Sequence, residues 1–136
     1  MKKFLLSILG ASLIMGATMG TAFAASEREP NDTADRADRL DFGANSGHVG
    51  GQDNDDYWFF ELTSRTRVEF HLKDLSDDAD LYLLDINETG IDKSINTGKR
   101  KEKVSGTLAP GKYYVHVTKG TSSANANYTL EGVKLN

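Results

Sequence analysis

Glu27, Glu29, Asn31 and Asp32 place four hard oxygen donors within six residues, and Asp53, Asn54, Asp55 and Asp56 form a second acidic run further on. In an extended chain Glu27, Glu29 and Asn31 project to one side. Pro30 keeps this segment out of a helix, and a turn after Asn31 brings Asp32 round. Asp53 and Asp56, three apart in a turn, would close a cage from the far side. Carboxylate and amide oxygens gathered this way are the donors a calcium ion takes, six to eight at a time. The competing reading is two solvated runs of loop acids, and the chain has no EF-hand Asp-x-Asp-x-Asp-Gly loop.

A second constellation is aromatic. If Trp58, Phe60 and Leu62 face inward on a strand over Tyr57–Leu62, then Tyr57 and Phe59 face out. The same alternation turns Tyr82, Leu84, Tyr114 and His116 outward. Rings on a sheet face suit contact with a protein or a polysaccharide. Cover by neighbouring loops is the alternative.

Catalytic chemistry finds little. The chain has no cysteine, so thiol catalysis and disulfides are both excluded. His48 lies in a Gly-rich stretch, and His71 and His116 fall on outward strand positions. No Gly-x-Ser-x-Gly elbow accompanies them, and a zinc site from His71 and His116 lacks further ligands at short spacing. The expectation is that the protein is not an enzyme.

The elements that must position these residues have period two from Leu40 onward. Val68, Phe70 and Leu72 alternate with Glu69 and His71. Leu81 and Leu83, then Val104 and Leu108, then Tyr113, Val115 and Val117, then Tyr128, Leu130 and Val133 continue the pattern. Turn signals separate them at Gly43–Gly47, Gly50-Gly51, Asn87–Gly90, Pro110-Gly111 and Lys119–Asn125, and Gly132 suggests a bulge. The expected fold is all-β, an antiparallel, jelly-roll-like β-sandwich of about eight strands, with a flattened barrel as the alternative. Residues 25–39 are polar and allow at most a short helical turn.

Residues 1–24 read as a secretory signal peptide: Lys2 and Lys3, an apolar run from Phe4 to Ala17, and an Ala22-Phe23-Ala24 cleavage site. A single domain over residues 25–136 follows, secreted and extracellular. Without Lys2 and Lys3 the 16 basic residues fall to 14 against 20 acidic ones, a net charge of −6. That balance argues against nucleic acid and against an anionic membrane as partners.

The order of motifs resembles the bacterial pre-peptidase C-terminal (PPC) domain family, itself similar to the collagen-binding domains of clostridial collagenases. The resemblance is carried by Glu27-Arg28-Glu29-Pro30-Asn31-Asp32-Thr33, Gly47-His48-Val49-Gly50, and Asp53-Asn54-Asp55-Asp56-Tyr57-Trp58-Phe59-Phe60. It continues through Asp78-Ala79-Asp80-Leu81-Tyr82-Leu83, Leu108-Ala109-Pro110-Gly111-Lys112-Tyr113-Tyr114-Val115 and Tyr128-Thr129-Leu130. It implies a calcium site built from Glu27, Glu29, Asn31, Asp32, Asp53 and Asp56, with Asp55, Asp78 and Asp80 as lesser candidates. The resemblance also implies a non-catalytic module. Its partner would be an extracellular protein (collagen-like, or the substrate of a peptidase) or a polysaccharide, met through an aromatic sheet face; strand alternation, not the resemblance, puts Tyr57, Phe59, Tyr82, Tyr114 and His116 on that face. A stand-alone accessory of a secreted peptidase, serving its secretion, folding or substrate capture, is the alternative.

Overall fold

The computed structural model describes residues 25–135. The signal-peptide expectation for residues 1–24 lies outside them. Ten strands follow one another: β1 (Ala25–Ser26), β2 (Asp38–Arg39), β3 (Gly43–Gly50), β4 (Asp55–Leu62), β5 (Thr66–Lys73), β6 (Ala79–Leu84), β7 (Gly90–Ser94), β8 (Glu102–Leu108), β9 (Gly111–Lys119) and β10 (Asn125–Leu135). A 3-10 turn, Ala34–Arg36, sits between β1 and β2. Two five-stranded sheets result, in the orders β1-β3-β10-β5-β8 and β2-β4-β9-β6-β7.

Strand alternation builds the layer between them. Trp58, Phe60 and Leu62 of β4, Val68, Phe70 and Leu72 of β5, and Leu81 and Leu83 of β6 are buried, as are Val115 and Val117 of β9 and Tyr128 and Leu130 of β10. Each fully buried large side chain of this kind contributes about 1.5–3 kcal/mol through removal from water. The inner rings touch: Phe60 lies 4.9 Å from Phe70 and 5.5 Å from Tyr113, centroid to centroid.

The β-sandwich is as expected, and three details differ. The two extra strands, β1 and β2, are two residues each, too short to show period two. Both pair in parallel, β1 with β3 and β2 with β4, so the sandwich is antiparallel everywhere except at these two margins. Gly43–Gly47 and Gly50, read as turn signals, lie in a full strand, Gly43–Gly50, paired with β10 along its whole length. Two of its glycines admit neighbours: a Cβ on Gly47 would fall 2.2 Å from the Tyr128 hydroxyl, and one on Gly50 2.4 Å from the Asn125 side chain. Gly132 keeps regular register with Phe70 and Gly43. A Cβ there would press on Phe70, Phe42 and Leu40, so close ring packing accounts for the glycine, and the irregularity falls between Leu83 and Leu84 instead.

Candidate metal centre

The segment from Glu27 to Asp32 crosses from the margin of one sheet to the margin of the other. Its start is fixed by Glu27 N–H donating to the Ser46 carbonyl at 3.0 Å, continuing the β1–β3 pairing, and its end by Tyr57 N–H donating to the Asn31 carbonyl at 2.8 Å. Within the crossing, Arg28 N–H donates to Asp38 Oδ2 at 2.6 Å. The Glu29–Pro30 peptide bond is cis.

This path brings Glu27 and Glu29 against Asp53 and Asp56 at the start of β4. One carboxylate oxygen from each of the four lies within 4.8 Å of those of the others. No lysine or arginine forms an ion pair with any of them among the described residues. Asn31 is fully buried beside them. Its amide nitrogen donates to Glu27 Oε2 at 3.2 Å and Asp38 Oδ2 at 3.0 Å. Both partners are acceptors, so the amide cannot be flipped, and Oδ1 is left as the free end.

Electrostatics sharpen the picture. Burial pushes the Asp56 carboxyl up to about 11, helped by Glu27. Burial, then the Glu29 charge, raises Asp53 to about 8, and burial raises Glu27 to about 7. Four carboxylates this close cannot all ionise unless a cation joins them. Three oxygens of the set, Asn31 Oδ1, Asp53 Oδ1 and Asp56 Oδ1, are buried and accept no hydrogen bond. Buried acceptors without partners are rare and costly, and a metal ion would satisfy all three together. The donor set fits one, and these residues could hold it.

Asp32 stands outside the group of four, though its charge helps raise Asp53. Asp55 turns to the outer sheet face, where Oδ1 meets His116 Nε2 at 2.8 Å. Asp78 folds over Gly120, where a Cβ would sit 2.2 Å from its carboxyl carbon.

Sequence reasoning missed three supports. Asp38 holds the crossing segment at two points. The His48 N–H donates to Glu27 Oε1 at 2.5 Å and aims that carboxylate. Tyr128, read only as a core ring, donates its hydroxyl to Asp56 Oδ2 at 2.6 Å and accepts from Trp58 Nε1 at 3.0 Å. Its phenol is held well above its usual range by burial and by the Asp56 charge, so it remains a donor. The signal for this last link was Gly47, whose missing side chain makes room for the Tyr128 ring. Gly47→Ala is therefore expected to displace that ring and to cost about 1–3 kcal/mol, the range for overpacking a filled site; denaturant midpoints would measure it. An unchanged midpoint would mean that the ring has room to spare.

The aromatic residues come together on the outer face of the second sheet. Register sets Tyr57 opposite His116, Phe59 opposite Tyr114, and Tyr82 opposite His116. The His116 ring stacks on Tyr57 at 4.2 Å and lies 5.8 Å from Tyr82. Lys112 Nζ lies 4.7 Å above Phe59. Cover is uneven: Tyr57, Phe59, Tyr82 and His116 are half-buried, whereas Tyr114 is only 7% exposed. His71 belongs to the opposite sheet and pairs with Glu69 at 3.2 Å, so it does not meet His116. His48 bonds to Asn125. Among the described residues no serine hydroxyl is bonded to a histidine.

A two-sheet β-sandwich with an acidic crossing segment at one margin is the class that fold and site define. Residues 54–119, the span from β4 to β9, match the model of the bacterial pre-peptidase C-terminal domain family. The resemblance carried by the motifs is thus a match to that family over the central strands. No curated protein matches the chain in sequence. Among solved structures, the chain is similar to the pre-peptidase C-terminal domain of a collagenase from Bacillus anthracis. They share 18% identity at a TM-score of 0.61, over 79% of this chain and 100% of that one. It is also similar to a periplasmic inhibitor of g-type lysozyme from Aeromonas hydrophila, with 13% identity and a TM-score of 0.58, over 73% of this chain and 96% of that one. At these identities both likenesses concern the fold.

Proposed function

We propose that the protein is a secreted, non-catalytic β-sandwich module, stabilised by calcium, that binds an extracellular protein or polysaccharide through the outer face of β4, β9 and β6. The observation that carries the calcium reading is the set of three buried, unpartnered oxygens on Asn31, Asp53 and Asp56 beside the converging carboxylates. All these donors are hard oxygens, with no imidazole or thiolate among them, and such a set suits calcium over zinc or copper. Bound there, the ion would neutralise the acids and fasten the segment between the two sheets. The ligands would be Glu27, Glu29, Asn31, Asp53 and Asp56, with Asp32 beside them.

The rings of Tyr57, Phe59, Tyr82, Tyr114 and His116 support the binding reading, since flat aromatic area joined to polar tips is what interfaces use. The lysozyme inhibitor of similar fold supports a non-catalytic role by analogy. A second reading, an accessory of a secreted peptidase, is favoured by the family match, because this domain type is associated with peptidases.

Capture on immobilised collagen, cell-wall glycan, a secreted peptidase and g-type lysozyme, in calcium, would test the binding reading. Retention by one surface, lost in Phe59→Ala or Tyr82→Ala, is the expected outcome. Retention by none above an inert protein surface would refute it, and retention by the peptidase alone would select the accessory reading.

A further inference from the structure

Between the 3-10 turn and the β6–β7 connection lies a cleft of about 370 Å³ whose floor is Tyr57 and Tyr114 and whose walls include Asp32, Asp35, Ile86 and Glu88. We infer that this cleft is a subsite for the basic side chain, arginine or lysine, of a partner polypeptide. The inference rests on the binding reading of the sheet face and gives that face its partner chemistry.

Charge is the first argument. Three carboxylates line one small opening, and no lysine, arginine or histidine lines it with them. None of the three takes part in an ion pair among the described residues. Arg36, on the same turn as Asp35, is not among the lining residues either.

The floor is an independent argument. Tyr57 and Tyr114 meet edge to face at 6.3 Å, and both rings line the opening. Tyr114 is more than nine-tenths buried, it lines the cleft, and its hydroxyl has no hydrogen-bond partner among the described residues. That hydroxyl, on a side chain otherwise buried, is free to bond the polar end of a ligand in the cleft. Cations attract aromatic faces most strongly where water is partly excluded. The molecule already shows the pairing next door, where Lys112 Nζ lies 5.6 Å from the Tyr114 ring. Ile86, 54% exposed at the mouth, offers an apolar wall to the methylene stem of an arriving arginine or lysine.

The test uses the whole protein in saturating calcium, titrated with acetyl-Gly-Gly-Arg-Gly-Gly-amide and followed through the ring resonances of its tyrosines and histidines. The same peptide with citrulline keeps the shape and removes the charge, and chitotetraose serves as the saccharide probe. The arginine peptide is expected to shift Tyr57 and Tyr114 saturably, about tenfold more tightly than the citrulline form. Glu88→Gln is expected to weaken it about three- to tenfold, with the thermal midpoint unchanged. Equal affinity for the citrulline peptide would overturn the inference. So would an unchanged affinity in Glu88→Gln combined with Asp35→Asn, or chitotetraose taking Tyr57 and Tyr114 in place of the peptide. Shifts confined to Tyr82 and His116 would likewise overturn it while leaving the sheet face standing as a binding surface.

Discussion

Calcium is expected to raise the thermal midpoint of this protein by roughly 15 °C once the free ion stands about a thousandfold above its dissociation constant. A ligand that binds only the folded state adds about 4 kcal/mol at that excess, which is a large share of the stability of a domain this size. The unfolded chain has no preformed cage, because Glu27 and Glu29 lie far along the sequence from Asp53 and Asp56. The effect should also depend on pH with a definite sign. Without metal, Glu27, Asp53 and Asp56 keep their protons to about 7, 8 and 11, whereas in the unfolded chain they lose them near the usual carboxylate values. The folded state then holds more protons than the unfolded one, so metal-free stability is full below about pH 4 and falls as pH rises through 7 and 8. Calcium competes with those protons, and its stabilising effect should grow over the same interval. Melting curves in chelator and in millimolar calcium, at pH 5 and pH 8, would measure both slopes. Equal midpoints with and without calcium at pH 8 would refute the site.

Asp56→Asn should separate the ion's contribution from that of the surrounding packing. The asparagine oxygen can still accept the Tyr128 hydroxyl bond, so the link to Trp58 survives while the carboxyl that holds its proton to about 11 without metal is removed. In chelator at pH 8 the variant is expected to melt at or above the native protein, because folding no longer has to protonate a carboxyl that is ionised in the unfolded chain. In calcium it should lose most of the rise, since the fully buried ligand no longer carries charge. The two melting curves therefore exchange order. A variant whose response matched the native protein would remove Asp56 from the ligand set, and one that melted low in both conditions would show that packing, not charge, is what Asp56 serves.

Much of the fold was legible because period two is a direct imprint of a half-buried sheet. Trp58, Phe60 and Leu62 alternate with Tyr57, Phe59 and Glu61 in sequence and in space alike. What alternation could not show was β3, whose Gly43, Gly47 and Gly50 mimic turns. Gly47 and Gly50 make room for the Tyr128 and Asn125 side chains of β10, a cause visible only once β10 is in place, and Gly43 takes a φ of 126°. The acidic residues of the site were legible from their types, but their convergence depends on a crossing between two sheet margins that no local pattern encodes. Asp38 and Tyr128 were missed for a related reason. Their role is to hold other residues still, and a supporting hydrogen bond leaves no spacing rule behind.

The margin opposite the acidic segment has a consequence for assembly. There β7 and β8 end the two sheets, and an open strand end is where chains add to one another and polymerise. Asp92 Oδ2 accepts the Ser105 N–H at 2.9 Å, and Glu102 Oε1 accepts both the Ser94 hydroxyl at 2.5 Å and the Asn96 N–H at 3.0 Å. These carboxylates, reaching from one sheet to the other, occupy main-chain donors that an incoming strand would need. With β1 and β2 lying along the other margin, the sandwich is hemmed on both sides. The aromatic face of β4, β9 and β6 thus lies between margins that offer a second copy little open edge to pair with.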